Sequence, residues 1–495
     1  MMKRTYENAI KLLETRRRKS RPKGMPGVER VHPFSEMPSV KGAPTFKGTP
    51  SVVGMREWLQ LLGHSECDLN NLNLIHVAGT KGKGSTCAFA RSFLSVHGLR
   101  TGFPQKVGLY TSPDLRCIRE RIQINDQPIS EDCFTKYFFE VWDRLSSQNS
   151  HVVEGTEKMP RFLQLLALVA FHTFIREKTQ ATIYETHHGG EYDATNVVQS
   201  PIVTGITTIG LDHVAQLGPS IENIAWHKAG IFKSGTPAFS APQEPGPAAV
   251  LQARAAEKGV QLRFVEVDPS LRGEVQALQA PVQRTNCSIA LALVRAFLEQ
   301  KASSVSRHLT SEDISQGLEK FSWPGRFEVI VDGRSQWFLD GAHNELSVKQ
   351  AAEWFAENTS KGRSATSCPR ILIFSHFSEE RDGAALLECL ANSLAVKGIR
   401  PEYVIFTTYQ ERQDGITRVD KTLKTPEKPY PDLQALYSHI WTKLDPKAEV
   451  ASEQAIEGAL NLARRIGNQS NGMQTLVTGS LHLVGGALGL LRPLP

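Results

Sequence analysis

No two of the seven cysteines (67, 87, 117, 133, 287, 368 and 389) stand at C-x-x-C spacing, and their number is odd. That excludes a disulfide framework or structural zinc site as the basis of the fold and points to a reducing compartment. Long hydrophobic runs are missing too. The longest apolar stretch of note, Phe162 to Ile175, covers 14 residues and is broken by Gln164, His172 and Thr173. A bilayer span needs about 20, so this stretch reads as a buried core helix and integral membrane association is excluded. No apolar segment follows the basic start, which excludes a secretory signal. Nor is one charge spread over the chain. Residues 1–24 hold nine Lys and Arg against two Glu while the whole chain is +6, so the other 471 residues sum to −1. A near-neutral body behind a basic segment is not a nucleic-acid-binding surface. The expected compartment is the cytoplasm. The run Arg16–Arg18 raises the mitochondrial matrix as an alternative, against which Glu7, Glu14 and a helix over Tyr6–Leu13 speak.

What is present is a regular alternation. Residues 24–50 hold nine Gly and Pro among 27 and read as a linker. Leu72–Ala78 is a short apolar run ending at Gly79, and Gly84–His97 reads as the helix after it. Ala181–Thr186 is a second buried strand, preceded by the helical stretch Phe162–Glu177. Val203–Ile209 is a third, followed by a helix over Ile221–Ala229. Continuous apolar strands alternating with helices predict the α/β class, a mostly parallel sheet covered on both faces. After Pro324–Gly325 a second set begins. Phe327–Val331 and Gln336–Leu339 flank Asp332–Arg334 as a hairpin. Strands at Ile371–Ser375, Tyr403–Thr407 and Thr475–Thr478 then alternate with helices such as Gly383–Val396 and Ser452–Ile466. Two domains are expected, 1–322 and a smaller 323–495.

The strongest local signal is Gly79-Thr-Lys-Gly-Lys-Gly-Ser85, placed after an apolar strand and opening a helix. Glycines let backbone N–H groups close around phosphate oxygens, Lys83 adds a point charge, and the helix N-terminus adds its dipole. Gly82, Lys83, Gly84 and Ser85 are therefore candidate phosphate binders, although the spacing is GxxGKGS and not the standard Walker A.

This loop is followed in order by Tyr110-Thr-Ser-Pro113, Gly189-Gly-Glu-Tyr-Asp-Ala-Thr-Asn196, Leu211-Asp-His213, Lys228-Ala-Gly-Ile231 and Asp340-Gly-Ala-His-Asn344. Together these motifs resemble the folylpolyglutamate synthase family of the Mur ligase superfamily, over residues 5 to 490. Glu120–Asn125 and Tyr137–Leu145 look like its eukaryotic, fungal-type branch. The resemblance implies a nucleotide-binding domain and a smaller C-terminal ligase domain with the active site in the cleft between them. It implies ATP-dependent addition of L-glutamate to the γ-carboxylate of a reduced folate through an acyl phosphate, with ATP, Mg²⁺ (two ions) and K⁺ or another monovalent cation, in a monomer.

Residue by residue, the resemblance makes Ser112, Glu185 and His213 metal ligands and Lys228 a carbamylated lysine holding a second Mg²⁺. It places Asn286 on adenine, Arg326 and Asp340 on ATP, and His343 and Ser480 at the incoming glutamate. Lys83, Lys228, Asp340 and His343 are the candidate catalytic set. Taken singly, Glu185, His213 and Ser112 read equally as a helix-capping carboxylate, a core histidine and a turn residue, and Lys228 as a solvated helical lysine. Arg326 alone reads as half of a surface ion pair.

The chain also departs from the family. Glu185-Thr-His-His188 stands where Glu-Val-Gly is usual, Asp114 replaces a histidine after Thr-Ser-Pro, and His227 replaces the Glu before the modified lysine. Adjacent strand residues point to opposite faces, so His187 and His188 are not expected to share one metal. Two rivals stay open: dihydrofolate synthase or another acid–amino-acid ligase, and a nucleotide-binding protein whose ligase activity has lapsed.

Overall fold

The computed structural model describes residues 3–17, 50–147, 159–271, 275–304, 306–360, 368–378, 382–416, 418–420 and 431–493. Residues 24–49 of the Gly- and Pro-rich stretch and Arg18 of the basic run lie outside them. The chain divides into two compact units, Met1–Asp114 with Arg119–Phe321, and Leu115–Ile118 with Ser322–Pro495.

The first unit is built on eight strands: β1 (Leu74–Ala78), β2 (Val107–Tyr110), β3 (Ile122–Ile124), β4 (Gln127–Pro128), β5 (Ala181–Glu185), β6 (Val203–Ile206), β7 (Ala238–Ser240) and β8 (Leu262–Phe264). Their order is β4-β3-β2-β5-β1-β6-β7-β8. Among the described residues, only the β2-β3 and β3-β4 strand pairs of this sheet are antiparallel. Strands β1, β2, β5 and β6 are buried at every residue, as strands covered by helices on both faces must be. The helix Phe162–Glu177 is one such cover, buried from Leu165 through Phe174. It takes up the apolar stretch that was too short for a membrane, and among the described residues no helix is long and apolar enough to cross one. Strand register sets where the loops emerge. Val77 lies beside both Glu185 and Gly205, so the loops leaving the carboxyl ends of β5, β1 and β6 stand side by side. That edge of a parallel sheet is where α/β folds gather ligands.

The second unit has a six-stranded sheet: β9 (Glu328–Asp332), β10 (Ser335–Leu339), β11 (Arg370–Phe374), β12 (Tyr403–Phe406), β13 (Glu449–Ser452) and β14 (Met473–Thr478), in the order β13-β12-β11-β14-β10-β9. It is parallel except for the β9-β10 hairpin. Gly485 lets the segment Leu115–Ile118 approach closely, since a Cβ there would meet the Leu115 carbonyl oxygen at 2.1 Å. One helix boundary needs correction. The helix expected over Ser452–Ile466 starts at Ile456 and ends at Gln469, because Ser452 closes β13.

Candidate active site

Gly82 adopts a left-handed backbone, φ 87°, and caps the helix Lys83–Thr101. A side chain is excluded twice there, by that φ and by Asn286, whose Oδ1 would lie 2.1 Å from an added Cβ. The first bond of the helix runs from the Thr86 amide to the Gly82 carbonyl at 2.8 Å. The amides of Lys83, Gly84 and Ser85 thus precede the helical ladder, as anion-binding amides do. Asn286 is buried, its Nδ2 donates to Gln283 at 2.9 Å, and its Oδ1 has no protein partner. The loop is tied down on its other side by the Thr80 and Lys81 amides, which both donate to the Thr208 carbonyl.

Glu185, the last residue of β5, is 3% exposed. Its Oε2 accepts the Thr111 hydroxyl and, at 3.4 Å, the Ser112 amide. Its Oε1 lies 3.7 Å from the Lys83 ammonium. The structure thus joins the residue pair that follows β2 to the end of β5 and to the glycine loop. A carboxylate with one oxygen beyond hydrogen-bond range of its cation, next to a serine, is a hard oxygen donor set. It fits Mg²⁺, which takes one or two carboxylates and keeps several waters.

His213 sits in a left-handed conformation before the short helix Val214–Leu217. Burial, then the neighbouring His188, pushes its pKa well below the usual imidazole range, and Lys228 and Lys83 act in the same direction while Asp212 opposes. Asp212 also pairs with Lys81 at 3.2 Å. Lys228, the last residue of the helix Ile221–Lys228, is buried and donates to the Gly79 carbonyl at 2.6 Å. Burial, then Lys83, holds its pKa well below the ordinary lysine value. Lys83, Lys228 and His213 therefore share one electrostatic environment. Among the described residues no three His, Cys, Asp or Glu side chains gather as a metal site; of the four candidate ligands, Glu185 and His213 are of those types, Ser112 and Lys228 are not.

The residues departing from the family pattern fall into three settings. Asp114 is buried in an ion pair with Arg121 at 2.6 Å. His227 is buried between Trp226 and Tyr192, with ring centroids at 5.1 and 5.6 Å. His187 and His188 do diverge, but strand alternation is not the reason, because both follow the end of β5. Their amides both donate to Asp193 Oδ2 at 3.0 Å. The His187 ring turns inward to Tyr110, and the His188 ring stands edge-on to His213 with centroids 4.3 Å apart. Asp193, Thr111, Lys81 and Asp212 carry no role that the sequence alone assigns. All four stand inside the quoted motifs, which is the available signal.

In the second unit Asp340 follows β10 and is buried. It accepts the Phe327 amide on Oδ2 and the Ala342 amide on Oδ1, each at 3.0 Å. Burial raises its pKa to about 6, against the pull of Arg326 and those amides. His343 Nδ1 lies 2.8 Å from the Gly341 carbonyl, which places a proton on that nitrogen. Ser480 caps the helix Leu481–Leu491, its hydroxyl accepting the His482 amide at 3.1 Å. Arg326 and Leu481 both approach Gly341, whose added Cβ would meet Leu481 at 2.1 Å and Arg326 Nη1 at 3.1 Å.

Comparison with known proteins identifies the family. A family model described as "Dihydrofolate synthetase, C-terminal domain" matches residues 325–490. A folylpolyglutamate synthase of Neurospora crassa is 41% identical over 474 residues, covering 93% of this chain and 89% of that one. One from Saccharomyces cerevisiae (strain AWRI796) is 36% identical over 472 residues, covering 92% and 84%. In fold, the chain is similar to a folylpolyglutamate synthase of Mycobacterium tuberculosis complexed with ADP, at TM-score 0.72, 20% identity and 99% and 100% coverage. A solved folylpolyglutamate synthase complex with AMPPCP and folate gives TM-score 0.62 at 23% identity, covering 90% and 97%. With identity of 36–41% running through both units, the chain belongs to the folylpolyglutamate synthase family.

Proposed function

We propose that this chain is an ATP-dependent ligase that joins the amino group of L-glutamate to the γ-carboxylate of a reduced folate's glutamate tail. A carboxylate is a poor electrophile with a poor leaving group. Transfer of the γ-phosphoryl of ATP makes an acyl phosphate, which the glutamate amine then attacks, releasing phosphate.

The observation carrying this reading is the convergence of the Gly79–Ser85 loop, Glu185 and Lys228 at the carboxyl edge of one sheet. The loop amides and the Lys83 ammonium neutralise phosphate charge as it shifts. Asn286 offers a buried, unpartnered carbonyl oxygen beside Gly82, suited to an adenine amino group. Mg²⁺, when bound, supplies charge neutralisation between phosphate oxygens, and Glu185, Ser112 and His213 are the residues proposed to hold it. Lys228 is proposed to be carbamylated and to serve a second ion. Its burial favours a neutral amine, the form that reacts with CO₂. A carbamate nitrogen also keeps one N–H, so the bond to Gly79 survives the modification. In the second unit Arg326 is proposed to meet phosphoryl charge, Asp340 to act beside it, and His343 and Ser480 to receive glutamate. Complexes of family members with ADP, AMPPCP and folate support nucleotide and folate as ligands.

The family-model description favours a second reading, in which dihydropteroate accepts the glutamate. Mass spectrometry of products from tetrahydrofolate or dihydropteroate with ATP, Mg²⁺ and glutamate decides between them. Glutamyl extension of tetrahydrofolate supports the first reading, extension of dihydropteroate alone the second. No glutamate-dependent ADP release with either acceptor would leave a nucleotide-binding protein.

A further inference from the structure

Five buried polar side chains form one connected path beside the proposed metal-holding residues. The Tyr110 hydroxyl lies 2.6 Å from His187 Nε2, and His187 Nδ1 lies 3.3 Å from Asp193 Oδ1. Thr195 donates its hydroxyl to the same Asp193 oxygen at 2.7 Å, and His76 Nε2 stands 2.9 Å from that hydroxyl. None of the five is more than 7% exposed.

Asp193 anchors the middle of the path. Asp193 also accepts the amides of His187, His188 and Thr195, each at 3.0 Å. Burial alone works against its charge, but His187 and the Thr195 bonds outweigh it and hold the carboxyl well below the usual range. His187 Nδ1 lies at ion-pair distance from Asp193 Oδ1 without hydrogen-bond geometry, so the bond that ties His187 to Asp193 is its own amide. The Tyr110 hydroxyl and His187 Nε2 share one hydrogen bond at 2.6 Å. Thr195, having donated to Asp193, accepts from His76. Nothing here needs Tyr110 to react. Its buried hydroxyl is simply aimed and held.

The consequence lies one residue further on. Tyr110 pairs with Tyr184 across β2 and β5, and the next residue, Thr111, gives its hydroxyl to Glu185. The Thr111–Ser112 turn is thus strapped to the end of β5 at two points, by Glu185 directly and by His187 through Tyr110. The same Asp193 that orients His187 receives the His188 amide, which sets the His188 ring against His213. We propose that His187 is a positioning residue, which through Tyr110 and Asp193 fixes Ser112 and Glu185 at the separation a nucleotide-bound divalent cation requires. This rests on the ligase reading of the site and assigns a purpose to a histidine that the family pattern does not have.

The test is affinity for a non-hydrolysable ATP analogue, measured by calorimetry with and without Mg²⁺, on wild type, Tyr110→Phe, His187→Ala and the double variant. Partners of metal ligands typically change metal affinity about 10-fold or more. Tyr110→Phe, which removes one hydroxyl, is expected to reduce the Mg²⁺-dependent gain in affinity about 10-fold while leaving metal-free binding unaltered. His187→Ala should have the same effect, and the double variant should lose no more than either single one. A melting temperature measured alongside separates plain destabilisation, which would lower it without touching the Mg²⁺ gain and would overturn the proposal. An intact gain in Tyr110→Phe overturns it as well, whether or not His187→Ala folds. Glutamate-dependent ADP release by the same wild-type preparation isolates the underlying reading. If wild type releases ADP and the variants keep their Mg²⁺ gain, only the positioning role falls.

Discussion

Lys228 Nζ donates to the Gly79 carbonyl at 2.6 Å, tying the end of one helix to the first residue of the glycine loop 149 positions earlier. Neither residue can be exchanged freely. Gly79 has φ 146°, and an added Cβ would lie 1.8 Å from the Thr207 hydroxyl oxygen. Lys228 is buried with two other lysines acting on it. The loop therefore depends on backbone space supplied by its glycines and on a buried lysine nitrogen bonded to its first carbonyl.

Gly82→Ala tests the space. The substitution forces a side chain into left-handed backbone and against Asn286, a strain of about 1–3 kcal/mol. Thermal unfolding should show destabilisation of that order, and nucleotide affinity should fall further than stability does, because Asn286 must move. Unchanged nucleotide affinity would show that the loop and Asn286 do not meet the nucleotide.

Lys83→Ala tests the charge. The Lys83 ammonium is 3.7 Å from Glu185 and contributes little to packing, so the melting temperature should hardly change. Losing a donor to shifting phosphoryl charge costs about 2.7–4 kcal/mol, or roughly 10²–10³ in kcat. A variant turning over near the wild-type rate would remove the loop from the reacting phosphates.

How much of the fold and site is legible in the sequence depends on the distance between the residues involved. The glycine loop can be read because strand, glycines, lysine and helix are consecutive. Strands β3, β4, β7 and β8 cannot, since two or three residues are too few to show an apolar run or a period. β13, with no buried residue, lacks a hydrophobic signal altogether and its last residue reads as part of the following helix. In the site, Glu185 and Ser112 are found through their motifs, but the bond joining Tyr110 to His187 spans 77 positions. No spacing rule covers a contact made by neighbouring parallel strands whose order is set by the whole sheet.

Asp340→Asn tests a buried acid. Burial raises the Asp340 pKa from 3.8 to about 6, so in this pH range the native protein binds a proton that the unfolded chain has released. The protonated form's contribution is full below pH 3.8 and is lost as pH rises through about 6. A two-unit shift corresponds to on the order of 3 kcal/mol. Urea unfolding of wild type and Asp340→Asn at pH 4 to 7.5 should show the variant gaining on wild type as pH rises. A constant difference across that range would mean Asp340 ionises with an ordinary pKa.

Lys228 separates a carbamate from a free cation. If it is carbamylated, Lys228→Ala should be nearly inactive but partly restored by acetate or formate, which return negative charge beside the metal-holding groups. Lys228→Arg keeps a positive charge and cannot form the carbamate, so it should be equally poor. Depleting CO₂ from wild type should lower activity, and bicarbonate should bring it back. A lysine acting as a cation predicts the reverse pattern: arginine substitutes in part, a small amine rescues the alanine variant, and carboxylates do nothing. The alanine variant also leaves the Gly79 carbonyl without its donor in a buried place, which costs about 1–3 kcal/mol. Melting temperatures must therefore accompany the rates, and rescue by carboxylate at an unchanged melting temperature identifies the missing group as an anion. Substantial activity in Lys228→Arg would end the carbamate proposal while leaving the phosphate-binding role of the loop untouched.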